Sequence, residues 1–308
     1  MSDVDIDLSY EVNKSTKCYD YSCCHRTDIP TSDSDKAGKY GNNKCNMPLD
    51  GFKKMIDTIN KLNTTSYMSF ASMIFGGSAN AYVPEYTNTS TVETVHKELL
   101  KYVRSKNTVH GIYYTLGPHD LYPLNYESFS AANDANLAAM DVAINQVTET
   151  KNLYSSIADN NAARTKFKEY GYYKVDAFIY NILIDDSSPP KAVSPNYNTD
   201  LVVLFLNTNA CYNRNVALTK EAADVGNMLT YLDAELTAVK AQNKAAWIVG
   251  NVNPGSKFCN ARWARRYNVL VEKHQEVVRM QLFGHEANEY FQLQFPTEGN
   301  RKPIGVTI

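Results

Sequence analysis

The feature that most narrows the possible folds is a recurrence along the chain. Apolar runs of strand length end in glycine-marked loops and are separated by segments of helical periodicity. "SYMSFASMIFGG", "TVHGIYYTLG", "AAWIVGNVNPG" and the run ending in "QLFGHEAN" all have this form. β-Branched and aromatic residues bounded by glycine read as buried strands. Between them, "LDGFKKMIDTINKL" places Leu49, Phe52, Met55, Ile56 and Ile59 on one helical face. "STVETVHKELLKYVRSK" is a second amphipathic helix, opened by a Ser or Thr cap, and "NMLTYLDAELTAVKAQNK" is a third. A polar-faced helical stretch covers 129–170, and "YYKVDAFIYNILI" and "DLVVLFLNTNACY" read as two further strands. Strands alternating with helices predict a layered α/β domain, in which ligand sites gather at the carboxyl ends of the strands. Those ends are the glycine loops here.

At 308 residues the chain can form one large domain with a sizeable core. Its 31 Lys and Arg against 33 Asp and Glu are mixed throughout, which argues against a nucleic-acid or polyanion binder. No apolar run approaches the ~20 residues of a membrane span. The 22 tyrosines suit wet, amphipathic contact surfaces, and equally the rim of an ordinary core.

Of the six cysteines, Cys18, Cys23, Cys24 and Cys45 fall in a polar, loop-like segment over 1–48, and Cys211 and Cys259 lie far downstream. Such a segment buries little and needs covalent staples to hold a shape. Zinc competes as a reading because His25 follows the adjacent pair, but adjacent cysteines lack the spacing of common zinc sites, which favours disulfides. The tripeptides at Asn13, Asn63 and Asn88 are glycosylation acceptors. Together these features predict a secreted or lumenal glycoprotein. No signal-peptide pattern opens the sequence, so the expectation is a processed fragment whose Met1 is not the initiator.

Five loops, "SDVDID", "FGGSAN", "LGPHD", "GNVNPG" and "FGHEAN", follow one another in an order that resembles the calcineurin-like metallophosphoesterases. With "CYDYSCC", "GYYKV", "LNTNAC" and "RYNVLVEK" in their places, the chain resembles the secreted acid sphingomyelinase-like phosphodiesterases over almost its whole length. The resemblance implies an α/β fold: a metallophosphoesterase-like two-sheet mixed β-sandwich flanked by helices, as a single domain over 1–308. It implies the disulfides Cys18–Cys23, Cys24–Cys45 and Cys211–Cys259. It also implies two metal ions, usually zinc, bridged by an aspartate and a water, that polarise the phosphoryl group and generate a hydroxide. A histidine beside an amide ligand then assists the leaving group. The ligands must be carboxylate, imidazole or amide groups.

Position by position, this sequence departs from that pattern. Asp-x-His is Asp3-Val4-Asp5, and the Gly-Asp that bridges the metals is Gly76-Gly77. Gly-Asn-His-Glu is Gly117-Pro118-His119-Asp120, where Pro118 offers no side-chain donor. The fourth motif's histidine is Asn251, and Gly-His-x-His is Gly284-His285-Glu286-Ala287. Of the seven ligand positions only Asp3 and His285 keep the family residue. His119 stands where the catalytic histidine would, although a histidine in a polar loop is more often simply hydrogen-bonded there.

The expectation is therefore a pseudoenzyme with no cofactor, doing structural, filament-forming or binding work through self-association or other protein chains. The rival is a divergent phosphodiesterase with a rearranged zinc or single-cation site. Asp3, Asp5 and Asp7 alternate along an extended segment and would share one face, where Asn251 and His285 could join them around a cation. A third reading keeps a phospholipid headgroup or nucleotide in the pocket, with Trp263, Arg265 and Arg266 as possible contacts; an ordinary surface role for these three is the plainer reading. The family has a strand before the first motif and continues past "PIGVTI", so exposed sheet edges available for assembly are also expected.

Overall fold

The computed structural model describes residues 1–20, 22–65, 72–106, 111–129, 135–145, 161–179, 198–218, 224–289, 291–297, 299 and 302–308. The first described elements are helix α1 (Leu49–Thr65), strand β1 (Ser72–Phe75), helix α2 (Thr89–Arg104) and strand β2 (Gly111–Tyr114). Helices α3 (Ala135–Asn145) and α4 (Asn161–Tyr170) follow, then β3 (Tyr173–Ile179) and β4 (Asn198–Phe205). The chain continues through α5 (Met228–Ala241), β5 (Ala245–Val252), α6 (Ala261–Lys273) and β6 (Val278–Gly284) to β7 (Gln292–Gln294) and β8 (Gly305–Thr307). The apolar starts expected over 66–71 and 107–110, the middle of the helical stretch, and the end of the third strand beyond 179 lie outside the described residues.

Periodicity accounts for how these elements pack. In α1, Phe52 and Ile56 are buried, with Leu49, Met55 and Ile59 packed beside them, the face predicted. In α2 the buried set is Val92, Val95, Leu99, Leu100 and Val103. The expected Ser or Thr cap of α2 is corrected: Asn88 caps it, accepting from Thr91 N at 3.0 Å, because its carboxamide reaches the third amide of the first turn. Alternate residues of β4 face opposite cores. Leu201, Val203 and Phe205 join α1–α4 and the first sheet, while Val202 and Leu204 join α5 and α6. Both faces are therefore covered, which is why this strand reads as a continuous apolar run.

Two sheets result. β1 and β2 form a parallel pair, and the larger sheet has the order β3-β4-β5-β6-β8-β7. Within it β4, β5, β6 and β8 run parallel, and β3 and β7 run antiparallel along the two edges. Tyr173 ties the sheets together: its hydroxyl donates to Tyr114 O at 2.6 Å and accepts from Tyr114 N at 3.0 Å. Residues 1–7 lie beside β1 and the turn after it, with Asp3 N on Gly77 O, Asp5 N on Ser78 O and Ile6 N on Ala79 O. The parallel strands share a direction, so the loops after β1, β2, β4, β5 and β6 arrive at one end.

The N-terminal segment is stapled as expected. Cys18 bonds Cys23, Cys24 bonds Cys45, and Cys211 bonds Cys259. The first two disulfides enclose a small cluster of Cys23, Cys24 and Ala37, while Val4 and Ile6 reach the main core.

Candidate functional site

The strand-end loops meet, and their polar groups are bonded to one another. Asp3 accepts from Asn251 Nδ2 at 3.0 Å on one oxygen and from His285 N at 2.6 Å on the other, where the Ser2 hydroxyl also donates. Asn251 is fully buried, and its amide nitrogen also donates to Gly76 O at 2.6 Å. Thr208, from the loop after β4, accepts from Asn251 N at 3.1 Å and Val252 N at 2.7 Å, which pins the end of β5.

Gly77 lies at the centre of this closure. Its φ of +85° is a left-handed conformation that suits glycine. A Cβ added there would lie 2.6 Å from Gly117 N and 3.0 Å from the Asn251 Cβ, so the loop after β2 and the end of β5 occupy that space. A Cβ at Gly117 would in turn lie 2.4 Å from Ser78 N. The two glycine loops are in direct backbone contact.

Beneath them sits Asp120, fully buried. It accepts from Ser78 N at 2.7 Å, Ala79 N at 2.8 Å, Gly117 N at 2.8 Å and Asn80 N at 3.4 Å. His96 of α2, equally buried, places Nε2 3.3 Å from the same carboxylate. Burial alone would raise the Asp120 carboxyl, but these donors outweigh it and hold it below the usual carboxylate range. Sequence reasoning missed this brace. The signal available was an acidic residue three positions after a glycine on a loop that must turn back on itself.

The shared acidic face expected of Asp3, Asp5 and Asp7 is not formed. Asp3 and Asp5 both have φ near +50°, which breaks the alternation of a regular strand. Asp3 turns to Asn251 and His285. Asp5 turns to His119, whose Nδ1 is 3.9 Å from Asp5 Oδ1 and whose ring packs on Tyr82. Asp7 is buried and meets His25 Nε2 at 2.7 Å. Burial raises the Asp5 carboxyl, partly offset by His119. His285 is boxed edge-on by Tyr212 and Phe258, and burial pushes its imidazole down to about 4, with Asp3 opposing and His119 and Arg214 adding to the shift. Pro118 is the second residue of the turn from Gly117 to Asp120, and Ala287 is exposed. Among the described residues, no three His, Cys, Asp or Glu side chains are gathered as an ion would need.

Trp263, Arg265 and Arg266 are not part of this cluster. Trp263 is buried and stacked 5.6 Å from Tyr267. Arg265 and Arg266 line a separate groove of about 420 Å³ between α5 and α6, with Asp224 and Asp233. Their position favours packing and surface roles over contact with a ligand at the strand ends.

No family model matches the chain. It is 25% identical over 307 residues to human "Acid sphingomyelinase-like phosphodiesterase 3b", covering 97% of this chain and 58% of that protein. It is 21% identical to "Sphingomyelin phosphodiesterase 1" of Caenorhabditis elegans, over 99% of this chain and 49% of that protein. The alignments run almost end to end, as the loop order requires. These relatives support a metallophosphoesterase-like family for the chain. It spans about half the length of these curated relatives. A solved dimetal phosphatase from Danio rerio is also similar, with a TM-score of 0.47 at 10% identity, covering 98% of this chain and 84% of the other. In this metallophosphoesterase-like chain, the seven positions at which the resemblance expects ligands are the ones traced above. Asp3, Gly77, Asn251 and His285 converge by direct contact; Asp5 stands beside His119; Pro118 and Ala287 carry no side-chain donor.

Proposed function

We propose that this chain is a phosphodiesterase-like pseudoenzyme, in which the inherited loop cluster has become a structural closure and the scaffold serves binding or assembly. The observation that carries this reading is Gly77. A side chain there, where the bridging aspartate would stand, meets the Gly117 backbone at 2.6 Å. Both Asp3 oxygens and the Asn251 amide are hydrogen-bonded within the protein, so the residues present do not fit a two-metal centre. Three disulfides support a secreted or lysosomal setting, and exposed Asn13 and Asn88 are open to glycosylation. The side chain of Asn63 lies outside the described residues.

The test is elemental mass spectrometry of the purified protein, paired with hydrolysis of a chromogenic phosphodiester with and without added zinc. The expected result is no stoichiometric transition metal and no turnover. About two equivalents of metal with turnover would establish a divergent phosphodiesterase instead. A second reading keeps a phosphate-bearing ligand without turnover. It is favoured by Arg214 and Lys257, which lie 5.2 and 5.1 Å over the Phe258 ring beside His285. Calorimetric titration with phosphocholine tests it, and no heat at millimolar ligand would remove it.

A further inference from the structure

Among the described residues, the large sheet ends in an open, apolar edge whose strand carries no charge of its own. β7 is its last strand, and Gln294 O accepts from Ile304 N at 2.8 Å across the hairpin. Strand alternation therefore turns the N–H and C=O of Leu293 away from β8. Phe291, Leu293 and Phe295 lie two residues apart on one face and are 69%, 50% and 46% exposed. Val306, the register partner of Leu293, extends this face. On the opposite face Gln294 is bonded to Gln281 at 2.6 Å. A groove of about 510 Å³ beside the strand is lined by Asn268, Gln292, Gln294 and Thr307 together with apolar Tyr267, Leu293 and Phe295. Sheet edges are normally blunted by charge. Residues 290–297 carry none.

We infer that β7 is a self-association edge, and that two copies of this chain pair their β7 strands antiparallel about a two-fold axis through Leu293. The sequence "FQLQF" of residues 291–295 reads the same in both directions. A two-fold axis through its centre sets Leu293 against Leu293, Phe291 against Phe295, and Gln292 against Gln294. Apolar side chains then meet on one face, and glutamines meet on the other. Self-complementarity of this kind is what an isologous two-fold interface requires, and a heterologous partner would have no need of it. The outward N–H and C=O of Leu293 exchange both hydrogen bonds with their symmetry mates. The Phe295 carbonyl, which accepts one bond from Asn268 Nδ2 at 3.0 Å, keeps a second lone pair for Phe291 N of the other copy. This inference concerns a different part of the surface from the loop cluster and stands whether or not that cluster hydrolyses a phosphodiester.

Sedimentation velocity of the full chain over the micromolar range should show a concentration-dependent monomer–dimer equilibrium. Leu293→Lys, which opposes two like charges at the axis on an already exposed face, should weaken the dimer at least about tenfold. All six native cysteines are paired, so Leu293→Cys introduces a lone thiol. A hydrogen-bonded antiparallel pair has a Cα separation of about 5.5 Å, within disulfide reach. Leu293→Cys should therefore give a covalent dimer under mild oxidation, and Val216→Cys, 66% exposed elsewhere, should not. A dimer that survives Leu293→Lys unchanged would overturn the proposal. So would a wild type that stays monomeric while Leu293→Cys cross-links no faster than Val216→Cys.

Discussion

Replacing Asp120 tests whether the loop cluster is held together as a structural closure. Its two oxygens accept four backbone N–H groups, from Ser78, Ala79, Asn80 and Gly117, in a site with no solvent exposure. Asp120→Asn keeps the shape but turns one acceptor into a donor. Either Ser78 and Gly117, or Ala79 and Asn80, then face an amide that cannot accept. Each buried donor left unsatisfied costs about 1–3 kcal/mol, so the pair costs about 2–6 kcal/mol. That is a large share of the roughly 5–15 kcal/mol that holds a typical domain together. Urea unfolding should show the midpoint falling with an unchanged slope. The acid limb adds a second signature. The folded carboxyl lies below its unfolded value, so its contribution is complete above about pH 4 and is lost as pH falls through the folded value. The wild type should lose stability over that range, and Asp120→Asn should lose less. A cost under about 1 kcal/mol, or identical acid limbs, would refute the brace.

Three further outcomes follow from the same contacts. Gly77→Asp, which would restore the family's bridging carboxylate, should destabilise by about 2 kcal/mol or more in thermal unfolding and leave zinc content unchanged, because its Cβ meets the Gly117 backbone and its φ is left-handed. His25 is opposed by burial, but Asp7 and Asp28 raise its imidazole above the ordinary value. Its contribution is therefore full below about pH 6.5 and is lost as pH rises through the folded value, so His25→Asn should cost more in a melt at pH 5.5 than at pH 8.5. Removing the Cys211–Cys259 disulfide, which closes a loop of 48 residues, should cost about 4 kcal/mol by loop entropy and be read as a lower urea midpoint.

Much of the scaffold was legible before any coordinates. The apolar faces of α1 and α2 follow from spacing alone, because side chains three and four residues apart must share a helical face. The strands around 201–205 and 245–252 follow from β-branched runs stopped by turn residues. Loop order placed Asp3, Gly77, Asn251 and His285 at one end of the sheet, and they do meet there. The shared face of Asp3, Asp5 and Asp7 was not legible, because alternation assumes extended backbone and two of the three residues have positive φ.

By itself the sequence determined the elements, their buried faces, the family resemblance and the stapled N-terminal segment, since each depends on periodicity or motif order along the chain. It also showed that Gly77 offers no carboxylate. Only the tertiary structure decided that there is no room for one, that Asp120 carries the turn after Gly77, and that Phe291, Leu293 and Phe295 face outward on an open strand. Those outcomes depend on how closely segments as far apart as residues 3, 77, 120, 251 and 285 approach. A difference of a few ångströms in that approach separates an open site from a closed one, and local pattern does not encode it.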